Sequence, residues 1–184
     1  NHGELIGLNG PSNTLYSIDP QTGALTRIGE TGFTMAWGLT YDSLTDTIYG
    51  LAEQVPGSGR ISLVIVNRDT AALTFIGAGA VGLTGTSGLT FDDEGRRVIA
   101  FDNADNEFWS FALNGAATRL SVSSANVDSW SLASIGDRVV VQPGAPNHGA
   151  FLAAHDPDTG VGSILLTLSE PVALESLEFV AGGE

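Results

Sequence analysis

One short segment occurs four times in this chain, and its spacing restricts the fold more than any other feature. WGLTYD (37–42) returns as SGLTFD (87–92) and, in weaker form, as WSLASI from Trp130 and ESLEFV from Glu175. Leu39, Leu89, Leu132 and Leu177 mark the copies, at spacings of 50, 43 and 45 residues. Three further families of β-branched and apolar runs accompany them. One reads ELIGLNG, TIYGLAE, RVIAFDN and RVVVQPG; the next TLYSID, SLVIVN, EFWSFA and AFLAAHD; the last ALTRIG, ALTFIG, AATRLS and GSILLT. Helical periodicity is missing, and Gly, Pro, Asn and Asp interrupt the chain every few residues. Four short strands per unit at this period is the pattern of β-propeller blades. The chain is therefore expected to be all-β, a single four-bladed β-propeller over 1–184 with four antiparallel strands per blade. Its repeats fall at approximately 4–42, 43–92, 93–135 and 136–180.

The hairpin between the last two families carries its own signature, Asp-Pro-x-Thr-Gly, at Asp19 and again at Asp156. Asp caps such a turn with its side chain, Pro fixes φ at the next position, and Gly supplies the positive φ that closes it. Blade two has Asn-Arg-Asp-Thr-Ala from Asn67, and blade three shortens the turn to Leu-Asn-Gly from Leu113. With strands lettered A (innermost) to D, the sequence begins on a B strand and ends on an A strand at 175–180. That last strand is expected to pair into the first blade and close the ring, leaving few open edges. Four blades is the fewest that close, and an eight-bladed ring from two chains is the competing geometry.

Charge narrows the partners. Twenty-one acidic residues face seven basic ones, all arginine, for a net charge of −14. Such a chain repels nucleic acid and anionic lipid surfaces, and its acidity reads first as solubility. The absence of cysteine excludes disulfides, thiolate catalysis and cysteine-ligated zinc, and the absence of lysine excludes Schiff-base chemistry. No apolar run is long enough to span a bilayer as a helix.

Leu-Tyr-Ser-Ile-Asp-Pro-x-Thr-Gly, followed by Ile-Gly and Gly-Leu-Thr-Tyr-Asp, resembles secreted bacterial β-propeller repeat proteins of largely unknown function. It is also similar to quinoprotein-type repeats. Those usually carry a tryptophan soon after the Thr-Gly, docked between blades; here Ala24, Leu25 and Thr26 follow Gly23. The departure speaks against a quinone cofactor. The resemblance, together with a first residue other than Met, implies a processed, extracytoplasmic chain, periplasmic or secreted.

Regular A–B and C–D turns share one face of such a fold, and the B–C loops and D–A links share the other. The second set varies: NGPSN at Asn9, EQVPGSGR at Glu53, DNADNE at Asp102 and QPGAPNHG at Gln142. Variable loops on one face of a rigid repeat are the usual carriers of binding. Trp37, Trp130 and Glu175 precede inner strands and are expected around the channel mouth, with Met35, Asp128 and His148 on the same face. Two indoles and a carboxylate there suit a sugar, a ring or a partner's apolar side chain. Packing of both indoles between blades is the competing reading. Asp102, Asp105 and Glu107 form a weak calcium candidate whose spacing fails the EF-hand pattern. His148 and His155 fall on opposite faces and do not converge on a metal. Arg96 and Arg97 are expected to pair with acids at the surface.

The expected function is a non-catalytic binding or interaction module, an extracytoplasmic scaffold or accessory subunit. Its top-face loops meet a protein or glycan, alone or within an oligomer or larger complex, with no cofactor beyond the calcium candidate. The alternative is a metal-dependent hydrolase of lactonase type at the central channel, for which the inner strands offer Glu175 and Glu178 and otherwise only Thr40, Thr90 and Ser134.

Overall fold

The computed structural model describes residues 5–33, 35–83, 86–123, 132–136, 138–141 and 151–167. Every regular element among them is a strand, and the strands form four antiparallel sheets taken consecutively along the chain. The first sheet holds β1 (Leu5–Asn9), β2 (Thr14–Ile18) and β3 (Leu25–Glu30). The second holds β4 (Met35–Asp42), β5 (Thr47–Glu53), β6 (Arg60–Val66) and β7 (Leu73–Val81). The third holds β8 (Thr86–Asp92), β9 (Arg97–Asp102), β10 (Glu107–Ala112) and β11 (Ala117–Val122). The fourth holds β12 (Leu132–Ile135), β13 (Arg138–Val141), β14 (Phe151–His155) and β15 (Gly162–Thr167). All four predicted strand families are present, and within each sheet the strands lie side by side in sequence order.

Period-2 alternation normally gives a strand one wet face. Here the middle strands of the second and third sheets are dry on both, because each of those sheets is packed between two others. In β9, Val98 and Ala100 join the core shared with the second sheet, whereas Ile99 and Phe101 join the core shared with the fourth. In β5, Tyr49 and Leu51 face the third sheet, and Ile48 and Ala52 face the first. The core is thus three slabs between consecutive sheets. At the inner edge, Gly38 of β4 adopts φ 109° and lies against Leu89 of β8. The ladder slips in register there, so the glycine of WGLTYD marks a bulge beside the neighbouring sheet.

The recurring turn has two duties. Asp19 Oδ1 accepts the amides of Gln21 at 2.8 Å and Thr22 at 3.2 Å, and Gly23 N donates to Asp19 O at 2.8 Å. Asn67 and Asp156 repeat the arrangement on Asp69 and Thr70, and on Asp158 and Thr159. Ala71 takes the glycine position at φ 62°. The second duty is docking, since the closing residue presses on the outer strand of the preceding sheet. A Cβ on Gly115 would lie 2.4 Å from Ile76 O, and one on Gly160 only 2.1 Å from Val122 O. Ala71 keeps its methyl because the strand it meets offers Gly29.

Ion pairs tie the same face together. Buried Asp42 of the second sheet receives both terminal nitrogens of Arg96 in the third, one of them at 2.9 Å, together with Thr45 Oγ1 and the amide of Leu44 at 3.0 Å. Arg97 bridges Asp92 at 2.8 Å and Asp158 of the fourth sheet at 2.9 Å. These arginines are inter-sheet clasps, and Asp42 is a buried partner rather than the surface acid expected from sequence. The Arg96 guanidinium holds the Asp42 carboxyl well below its ordinary 3.8.

Gly115→Ala should cost roughly twice the ~1 kcal/mol of left-handed strain expected for Gly57→Ala, whose added methyl meets open space. Urea titration compares the two. Asp42→Asn should lower the thermal midpoint clearly, while Glu30→Gln, in the exposed Arg27–Glu30 pair, should leave it nearly unchanged. Because folding depresses the Asp42 pKa, its contribution is complete above about 3.8 and lost as pH falls below. Asp42→Asn should make acid unfolding shallower.

Candidate functional site

The loops from β1 to β2, β5 to β6 and β9 to β10 leave the sheets at the same end as the links from β3 to β4 and β7 to β8. This is the face expected to carry binding. Backbone bonds fix its geometry: Thr31 N donates to Asn13 O at 2.9 Å, and Ser123 N repeats that bond on Asn106 O at 2.9 Å. Thr31 Oγ1 donates to Phe33 O at 3.0 Å, and the Phe33 ring meets Phe75 edge-on at 4.8 Å. In the 54–59 loop, Glu53 accepts the amides of Gly57 at 2.9 Å and Gly59 at 2.8 Å, which presets the loop around Pro56. Between the first two sheets these pieces enclose a shallow depression of about 200 Å³ lined by Ser12, Asn13, Glu30, Gly32, Phe33 and Pro56. It offers hydroxyl, amide and carboxylate groups beside one aromatic ring, a mixture suited to a polar ligand with a flat apolar face.

Trp130, Asp128, His148 and Glu175 lie outside the described residues, and Met35 and Trp37 are described only as positions in β4. Sequence reading missed Phe33 and Glu30, which sit where the last strand family runs into the next repeat. The aromatic at the end of that link was the available signal. In the calcium candidate, buried Asp102 caps its own turn through the amide of Ala104 at 2.9 Å, and Glu107 pairs with Arg119. Among the described residues no three histidines or carboxylates converge as a metal-ligand set. His155 stands directly before the hairpin turn that opens at Asp156. It ends β14 fully buried, its ring 5.7 Å from Phe108 and its Nδ1 3.5 Å from Ser123 Oγ, with no partner at Nε2. Gly162 opposite makes the room, just as Ala117 stands opposite Phe111.

No family model matches the sequence, and no curated protein matches it. Solved structures do. Virginiamycin B lyase from Staphylococcus aureus superposes with a TM-score of 0.61 at 11% identity, over 95% of this chain and 54% of that one. A protein of unknown function from Bacteroides thetaiotaomicron gives 0.57 at 16%, over 88% and 44%. The PQQ-bound aldose sugar dehydrogenase of Streptomyces coelicolor gives 0.58 at 15%, over 84% and 57%. The chain spans about half the length of the structures it resembles. With four consecutive antiparallel sheets and these neighbours, the fold is that of a β-propeller repeat protein. Among the described residues no helix is long and apolar enough to cross a membrane.

Burial pushes the His155 imidazole below its ordinary 6.5, partly opposed by a bond with the Gly160 backbone. Stability should therefore fall as pH drops below about 6.5, where the unfolded chain takes up a proton that the folded chain refuses. His155→Phe, which copies Phe111, should fold and weaken the dependence between pH 7 and 5. Thermal midpoints across that range check it.

Proposed function

We propose that the chain is a non-catalytic binding module, an extracytoplasmic scaffold or accessory subunit that meets a protein or glycan with its loop face. One observation carries the reading. The opposite face repeats one turn closely in three sheets and is tied by the Asp42–Arg96 and Arg97–Asp158 clasps, whereas the loop face differs from sheet to sheet. Trp37, Trp130, Met35, Asp128, His148 and Glu175 belong to that surface in this reading. Segment 175–180 completes the three-stranded first sheet as its innermost strand and locks the ring of blades.

An enzymatic reading draws its support from the neighbours, a lyase and a dehydrogenase. The chemistry of the chain favours it less. The quinone of the dehydrogenase is a polyanion, and Arg27, Arg68, Arg96, Arg97 and Arg119 are committed to carboxylates. Arg60 lies within hydrogen-bond reach of the carbonyls of Ala78 and Gly79. A lactonase-type hydrolase needs converging acids, and the acids of the described inner strands, Asp42 and Asp92, are held by Arg96 and Arg97.

A glycan array probed with labelled chain tests the binding reading. A bound glycan should be lost on Phe33→Ala, or on Trp37→Ala with Trp130→Ala, while circular dichroism is unchanged. Calcium-dependent turnover of a lactone, or turnover of virginiamycin B, would replace the proposal with an enzyme.

A further inference from the structure

The residue that ends the pairing of a sheet's third strand packs against the sheet before it, and one joint differs from the other two at that position. Val66 of β6, opposite Leu73, fills the joint between the first and second sheets. Phe111 of β10, opposite Ala117, fills the joint between the second and third. His155 of β14, opposite Gly162, holds the same place between the third and fourth, its ring against Phe108. All three side chains are buried. Of the three, only His155 can take up a proton between pH 7 and pH 5.

The surroundings of His155 suit a neutral ring and offer an imidazolium no counterion. Nε2 has no partner among the described residues, Nδ1 lies 3.5 Å from the neutral Ser123 Oγ, and the Gly160 backbone supplies the one opposing bond. The charged groups on the elements around it are engaged elsewhere. Asp156 accepts the amides of Asp158 and Thr159 and lies in the field of Arg138 on β13. Asp158 pairs with Arg97 of β9 at 2.9 Å, Glu107 of β10 pairs with Arg119 of β11, and Asp102 accepts the amide of Ala104. A proton on His155 therefore makes a buried, unpaired charge, and water is what relieves it.

We infer that His155 is an acid-release latch, whose protonation frees the fourth sheet from the third while the other two joints stay closed. Opening is local because the 156–161 turn lifts from β11 at small cost, giving up the Ser121 Oγ–Pro157 O bond at 2.6 Å and the surface Arg97–Asp158 pair. Because the open joint binds the proton and the closed joint refuses it, opening grows as pH falls below about 6.5. The neighbouring joint has no such response, since the Asp42 carboxyl in its clasp is held well below the usual range and keeps its charge at pH 5. The inference rests on packing and stands whatever the loop face binds.

The chain has no cysteine, so one introduced thiol reports the opening of one joint. Ala52, Ala100 and Ala153 are buried in the first, second and third joints in turn. The probe is an aromatic disulfide that reacts with thiols at acid pH, with rates corrected against a free thiol. Ala153→Cys should react up to about thirtyfold faster at pH 5 than at pH 7, the factor set by about 1.5 pH units below histidine's ordinary 6.5. Ala52→Cys and Ala100→Cys should stay protected at both, and adding His155→Phe to Ala153→Cys should remove the acceleration. Equal acceleration at all three joints overturns the inference, since the chain then unfolds as a whole. So does a thiol in Ala153→Cys that ignores pH, or one whose acceleration survives His155→Phe. Hydrogen exchange of residues 151–167 at the two pH values, in the wild-type chain and in His155→Phe, decides the question without an introduced thiol.

Discussion

Each sheet of this molecule is too thin to stand alone, and everything else follows from the way it leans on its neighbours. A sheet whose strands are apolar on both faces must be covered twice, and the second and third sheets are covered by the sheets before and after them along the chain. Val98 and Ile99 are adjacent in sequence yet belong to different cores. Burial on that scale, at about 25 cal/mol per Å² of apolar surface, dwarfs what a surface ion pair contributes. The arginine clasps therefore set how neighbouring sheets are aligned rather than whether they associate.

Close approach of backbones gives those joints their regularity. Gly115 and Gly160 sit where a methyl would overlap a carbonyl of the preceding sheet, and the joint between the first two sheets makes room for the Ala71 methyl by placing Gly29 on the strand opposite. At each joint one side gives up its side chain, but which side does so differs. His155 opposite Gly162 and Phe111 opposite Ala117 are further trades of volume across a strand pair. A rigid lower face built this way frees the upper loops to differ, because their sequences carry little of the packing.

The strand families, their order and the Asp-Pro-x-Thr-Gly turn could be read from the chain, since each depends on period-2 patterning and on residues within a few positions of one another. The equivalence of NRDTA with that turn was also legible, because Asn caps as Asp does. The candidate site was legible only as a face. Phe33 and Glu30 come together with Ser12, Asn13 and Pro56 through the packing of two sheets, and no spacing within one repeat announces that contact. Arg96 looked like a surface charge because its partner, Asp42, lies a whole repeat away.

By itself the sequence determined the repeat unit, the all-β character and the conformation of each turn, because alternation and backbone sterics act locally and recur with the period. Tertiary structure alone decided which face of each strand meets which neighbour, why Gly115 and Gly160 tolerate no methyl, and which residues share the depression. Those depend on the distance and angle between successive sheets. Packing volume summed over two sheets sets that angle, and no single repeat contains it.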